Sequence, residues 1–238
     1  MNTTTAIAAP TNMATTRPPA RLRMTYEEFL QWSDEDMHAE WVNGEVIVHM
    51  PPKPIHQITV AFLHRLLGLF VDLFGLGQVY IAPFEVVIRP GYSSREPDLF
   101  FVTRERRHLV DEDRLTGPAD LIIEIISKDS VQRDRDDKFS EYREAGVREY
   151  WILDPRPQKQ RADFYRLTEA GKYELFATED DEWVSSYALP GFRLKPEWLW
   201  QADRLNPLTC SLEIQGVAEA ILQEIQRAQG RDPTVDKG

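Results

Sequence analysis

Residues 119–127 read Ala-Asp-Leu-Ile-Ile-Glu-Ile-Ile-Ser. The run is apolar and rich in isoleucine, and polar positions do not alternate through it. A strand of that composition is covered on both faces, because a half-exposed strand shows a polar side chain at every second position. The chain is therefore expected to build α/β layers around this strand. Glu124 stands in its middle, where an ionised carboxylate is costly unless it is paired or bound to metal.

The flanking sequence supplies the other elements. Thr25-Tyr-Glu-Glu28 has the spacing of a helix capping box. Asn43-Gly44 between two apolar runs predicts a tight hairpin. Pro51, Pro52 and Pro54 break the chain. Ile58, Phe62, Leu66, Leu69, Phe70 and Leu73 then recur at helical spacing, predicting a helix over 55–74 that Gly75 and Gly77 end. Strands are expected over 78–82, 85–89, 98–102 and 149–154. Shorter ones are expected near 162–167, 173–177 and 183–186. A helix is predicted over 133–145, stopped by Gly146, with one helical turn at 196–200 and a last helix over 211–229. No internal repeat is present. This order predicts a mixed central β-sheet flanked by helices.

Three segments follow from composition. Residues 1–23 are rich in Thr, Ala and Pro, carry three arginines and no acid, and read as a disordered tail without a signal-peptide core. Residues 24–205 form the expected domain. Residues 206–238 are expected to give a C-terminal helix and a polar tail. No uninterrupted apolar run approaches the roughly 18–20 residues that span a bilayer, so no membrane association is expected. The single cysteine, Cys210, excludes an intramolecular disulfide and a cysteine zinc site, and fits a cytoplasmic protein. The formal net charge of −11 counts against tight, non-specific nucleic-acid binding. It leaves room for a local basic groove, and a metal ion can supply positive charge at a phosphate.

Asp98, after Pro97, begins the strand expected at 98–102. Two carboxylates on neighbouring strands can share one hard divalent cation such as Mg2+ or Mn2+. A water of lowered pKa there can attack a phosphodiester, and a nearby lysine can orient it. Each residue also has a plainer reading. Asp98 fits a turn, Glu124 fits a buried pair with Arg or Lys, and Lys138 fits a solvated helix face. Glu40 fits an exposed hairpin. His56 fits a cap or a packing residue, and Ser127 a strand end. The five histidines include no pair at zinc-ligand spacing. There is no Walker loop and no dinucleotide fingerprint.

Several motifs occur together in order. They are Glu40-Trp-Val-Asn-Gly-Glu45, Met50-Pro-Pro52, His56-Gln57, Glu96-Pro-Asp98-Leu99 and Glu124-Ile-Ile-Ser127. Asp134, Lys138, Tyr142 and Gly146-Val147 follow, then Glu149-Tyr-Trp-Ile-Leu-Asp154-Pro155. Across roughly residues 25–200 this text resembles the Uma2 family of the PD-(D/E)xK nuclease superfamily. The resemblance implies a restriction-endonuclease-like core and a divalent-metal-dependent endonuclease acting on DNA. Asp98 and Glu124 match the metal-binding acids, with the backbone carbonyl of Ile126 as a further ligand. Ile126 stands where the superfamily carries its lysine, and Lys138 on the following helix matches the relocated residue. Glu40 matches an extra acid that contacts a second metal or a metal-bound water. A homodimer would let two sites act on two strands. Two alternatives stay open. One is a nuclease fold kept as a catalytically degenerate binding module. The other is a structural partner protein, using Leu212, Ile214, Val217, Ile221, Leu222 and Ile225 of the last helix. Coordinates that turn Lys138 towards Asp98 and Glu124 would favour the enzyme.

Overall fold

A computed structural model of the chain describes residues 22–33, 38–128 and 130–230. In chain order it holds β1 (Leu22–Arg23), α1 (Tyr26–Trp32), β2 (Ala39–Val42), β3 (Glu45–Val48), α2 (Pro54–Phe74), β4 (Gly77–Ile81), β5 (Glu85–Arg89) and β6 (Ser93–Arg95). Next come β7 (Leu99–Thr103), β8 (Arg114–Thr116), β9 (Leu121–Ile125), α3 (Lys138–Ala145), β10 (Glu149–Asp154), β11 (Arg161–Leu167) and β12 (Tyr173–Thr178). The small hairpin β13 (Val184–Ser185) and β14 (Arg193–Leu194) precedes α4 (Pro207–Ser211) and α5 (Val217–Ala228).

The apolar run at 119–127 becomes β9, an interior strand of a six-stranded sheet ordered β12-β11-β10-β9-β7-β4. It pairs parallel with β10 and antiparallel with β7, so the sheet is mixed as expected. All five of its residues are buried. On one face lie α2, α4 and the β13–β14 region, sharing a core that includes Phe62, Leu66, Phe70, Ile123, Trp151 and Phe192. The expected helix forms as α2, and Gly75 ends it in the left-handed conformation at φ 59°. By mean hydropathy, 1.5 over its best window, α2 is long and apolar enough to cross a membrane. An uninterrupted-run count hides this, because His64, Arg65 and Asp72 break the run. Phe62, Leu63, Leu66, Leu67, Phe70 and Val71 are all buried in that core. Burial of each such side chain stabilises the fold by about 1.5–3 kcal/mol.

A second six-stranded sheet, ordered β1-β3-β2-β6-β5-β8, covers the other side. Val86, Ile88 and Leu115 from this sheet share a core with Phe100, Val102, Ile122, Tyr150 and Ile152 from the first, and with Tyr142 of α3. Its β2–β3 hairpin turns on Asn43 (φ 47°) and Gly44 (φ 81°), the pair of positive φ angles that the Asn-Gly signal predicts. Sequence periodicity does not reveal this sheet as a unit, because β6 and β8 have three residues each and show no repeat. β1 lies within the residues assigned to the tail, where Leu22 and Arg23 pair with Val46 and Glu45. The rest of that tail and residues 231–238 lie outside the described residues. The helix expected over 211–229 forms only over Val217–Ala228, as α5, because residues 212–216 are a turn that follows α4. The chain breaks at Gly216, whose φ of 85° suits glycine.

Candidate active site

The β7–β9 ladder pairs Leu99 with Ile123 and Phe100 with Ile122. One step further in this register, Asp98 stands opposite Glu124, and opposed antiparallel residues project to the same side. Asp98 Oδ2 accepts the Ile125 N–H at 2.7 Å and lies 3.1 Å from His56 Nε2 near the start of α2. Its other oxygen has no hydrogen-bond partner among the described residues.

Glu124 is 3% exposed. Its Oε1 accepts from Lys138 Nζ at 2.8 Å and from Tyr142 Oη at 2.7 Å. No hydrogen bond among the described residues reaches Oε2. Lys138, 2% exposed, also lies 3.0 Å from Glu40 Oε1 and 3.5 Å from Asp134 Oδ1. Asp134, Lys138 and Tyr142 share the helical face that their spacing predicts, although Asp134 belongs to a π-helical turn, Arg133–Asp137, that leads into α3. Phe139 anchors the helix by ring contacts with Tyr150, Tyr165 and Tyr173.

Glu40 is fully buried, so the exposed-hairpin reading does not apply. Both its oxygens are engaged. Oε1 meets Lys138 and, at 3.3 Å, the Glu96 N–H, while Oε2 accepts from Arg95 Nη1 at 2.9 Å. His49 Nε2 is 3.4 Å from Oε2, within ion-pair range but outside hydrogen-bond geometry. Arg95 turns its remaining nitrogens to Glu141, with Nε at 3.0 Å and Nη2 at 2.6 Å. Lys138 and Arg95 thus tie the second sheet to β9 and α3.

The cluster is short of positive charge. Glu40, Asp98, Glu124, Asp134 and Glu141 surround two buried cations, Lys138 and Arg95, and the charge of Arg133 also reaches Asp134. Burial pushes Glu124 up to about 8, against the pull of Lys138, and Asp134, Asp98 and Glu40 add repulsion. Burial also raises Asp134 above its ordinary value. Glu96 is pushed up to about 8 by burial and by the charges of Glu40 and Glu85. Glu40 behaves oppositely. Burial alone would raise it, but Lys138 and Arg95 hold it well below the usual carboxylate range. Burial alone would lower the Lys138 ammonium, and Glu124, Glu40 and Asp134 overcome this, so it stays charged. Carboxyls raised chiefly by burial and by one another's charge are ones that a divalent cation would favour in the ionised form. No cluster of three or more His, Cys, Asp or Glu side chains in metal-binding arrangement occurs among the described residues. The fit therefore rests on two carboxylates with free oxygens and on main-chain donors.

A cleft of about 740 Å³ opens onto these groups and is lined by Asp98, Glu124, Ile125, Asp134 and Lys138. Ile126 is buried in the core on the α3 side, and Ile125 faces the cleft. Sequence reasoning read His56 as a cap or a packing residue, did not single out Arg95, and quoted Glu96 only as part of the Glu96-Pro-Asp98-Leu99 motif. Their only signal was position, beside Gln57 and beside Pro97-Asp98 in the quoted motifs.

Residues 26–197 match the Uma2 family, described as putative restriction endonuclease. The chain belongs to the Uma2 family. The match spans Glu40, Asp98, Glu124 and Lys138. Among solved structures, the chain is similar to a putative nuclease belonging to DUF820 from Anabaena variabilis ATCC 29413. The two share 18% identity at a TM-score of 0.62, over 75% of this chain and 98% of the other. That likeness shows the α/β nuclease-like fold. No curated protein sequence matches the chain. Uma2 membership and the fold accord with the resemblance read from the motifs.

Proposed function

We propose that this Uma2 protein is a divalent-metal-dependent endonuclease that hydrolyses phosphodiester bonds in DNA. The carrying observation is the cation-poor carboxylate pair beside a buried lysine. Asp98 and Glu124 each keep one unbonded oxygen and line one cleft that Lys138 also lines. Asp98 and Glu124, with a main-chain carbonyl at Ile125 or Ile126, would hold Mg2+ or Mn2+, which when bound supplies a Lewis acid and a water of lowered pKa.

The protein's own groups do the positioning. His56 and the Ile125 N–H fix Asp98 through Oδ2 and leave Oδ1 open. Lys138 and Tyr142 fix Glu124 through Oε1 and leave Oε2 open. Glu40 and Asp134 hold the Lys138 ammonium at the cleft, where it orients the attacking water and offsets charge gathering on the phosphate. A water oxygen bonds to phosphorus as the bond to the leaving oxygen breaks. Glu40 serves as an anchor for Lys138 and Arg95, since both of its oxygens are occupied.

Nicking of supercoiled DNA in Mg2+ or Mn2+ is expected, and Asp98→Ala or Glu124→Ala should abolish it. Equal nicking by both purified variants would sink the reading. A second reading, a degenerate site that binds without turnover, is favoured by Ile126 at the usual lysine position. Thermal melts separate the two. Saturating Mn2+ should stabilise the wild-type chain by about 2.7 kcal/mol at a hundredfold excess over Kd, and Asp98→Ala should lose the shift. A degenerate site shows no shift in either protein.

A further inference from the structure

The cleft that holds the acidic site is also lined by basic side chains. Lys53, Lys128 and Arg133 all line it. None of the three makes an ion pair or a side-chain hydrogen bond among the described residues, whereas Arg89, Arg106, Arg135, Arg156, Arg161 and Arg166 each meet a carboxylate. Arg133 Nε is buried without a partner. In a chain of net charge −11, Lys53, Lys128, Arg133 and Lys138 bring this cleft to formal balance with Glu96, Asp98, Glu124 and Asp134, although Arg133 also feels the charge of Asp134.

The start of α2 adds to the same mouth. Lys53 is its cap residue, no side chain caps the helix, and its first turn holds no acid. Its first main-chain hydrogen bond runs from the Gln57 N–H to the Lys53 carbonyl at 3.2 Å, which leaves the N–H groups of Ile55 and His56 ahead of it uncapped. The positive end of a 21-residue helix therefore opens where Lys53 stands. The His56 ring is 8% exposed, and its Nδ1 is buried there without a partner.

We infer that Lys53, Lys128, Arg133 and the α2 amino end form a phosphate-binding rim. It would grip the nucleic-acid backbone next to the scissile bond, while the acidic floor faces the bond itself. The inference rests on the nuclease reading for its substrate class and adds the residues that hold the strand. A phosphodiester backbone matches the rim because it repeats a single negative charge at short intervals, and cations hold it without regard to base.

The test uses the full chain carrying Asp98→Ala, with fluorescein-labelled single-stranded and duplex 20-mers followed by anisotropy over a salt series. Adding Lys53→Gln, Lys128→Gln and Arg133→Gln should weaken binding at least tenfold at ~0.1 M salt, as loss of three phosphate contacts requires. The slope of log K against log salt should flatten by about 2.7 for duplex or about 2.1 for single strands. Lys159→Gln with Lys172→Gln, on exposed lysines away from the cleft, should leave binding unchanged. If the triple variant does not fold, Lys53→Gln with Lys128→Gln, both exposed, should flatten the duplex slope by about 1.8. Unchanged binding by the rim variants, an equal loss in the control pair, or no binding by the parent chain would overturn the rim. Cleavage is scored separately. A protein that binds through the rim without cutting keeps this inference and loses the nuclease reading. One that cuts with unchanged rim-variant binding does the reverse.

Discussion

Lys138 sits within 3.5 Å of three carboxylates and is almost wholly buried. Removing it would leave Glu40, Glu124 and Asp134 facing one another, with Arg95 beside Glu40 and Arg133 near Asp134. Lys138→Met is therefore expected to destabilise the fold by about 3–5 kcal/mol, because breaking a buried pair strands its partners' charge. Adding Glu124→Gln should restore part of that loss. Urea melts of the two variants check both statements, and a loss below about 1 kcal/mol for Lys138→Met would show the cluster to be solvated. The residues differ in how far sequence could place them. Glu124 was legible because physics forbids a lone carboxylate in so apolar a strand. Asp98 was legible only through Glu124. Lys138 in isolation looked like a solvated charge, since a helix face shows its burial only once it docks. His56 left no periodic or charge signal, because it reaches Asp98 across 42 residues of chain.

At the scale of elements, long or strongly patterned segments were readable and short ones were not. β5 and β10 fall at the expected residues, and α2 starts one residue early at Pro54. β6 and β8 are held by neighbours rather than by their own pattern, as at Trp41 with Ser94 and Val86 with Leu115. Glu149, at the head of β10, shows the same dependence on distant partners. Its carboxylate accepts from Trp151 Nε1, from Ser186 Oγ and from the N–H groups of Tyr187 and Ala188, and so docks the β13–β14 region against the central sheet. Gly77 decides how close two strands can lie. A Cβ there would stand 2.1 Å from the Val102 carbonyl oxygen and 2.9 Å from the Thr103 Cα, both main-chain atoms of β7. Gly77→Ala should cost about 3 kcal/mol or more through forced displacement of the β4–β7 pair. Thermal melts read this directly, and a variant as stable as the parent would mean that β4 can shift freely.

At the scale of the whole molecule, the two sheets share one core. Val86 of β5 and Ile152 of β10 belong to the same buried cluster, and α3 contributes Tyr142 to it. The sheets should therefore open together. Native-state hydrogen exchange is expected to give the amides of Val86 and Ile152 the same opening free energy, and a lower value for Val86 would show the second sheet opening by itself. This joint core was hard to read in advance, because the strands that complete the second sheet are scattered between residues 22 and 116. The move of the lysine from strand to helix has a consequence for the order of assembly. With Ile126 at the strand position, β9 carries no basic side chain of its own. Two sheets closing without α3 would leave Glu40 with Arg95 alone and dehydrate Glu124 before any lysine arrived, at a cost that a half-built core offsets poorly. Helix and sheets are then expected to dock in one step. A chain that has completed its fold has, by the same act, completed its site, and a chain stalled short of that step is left with neither.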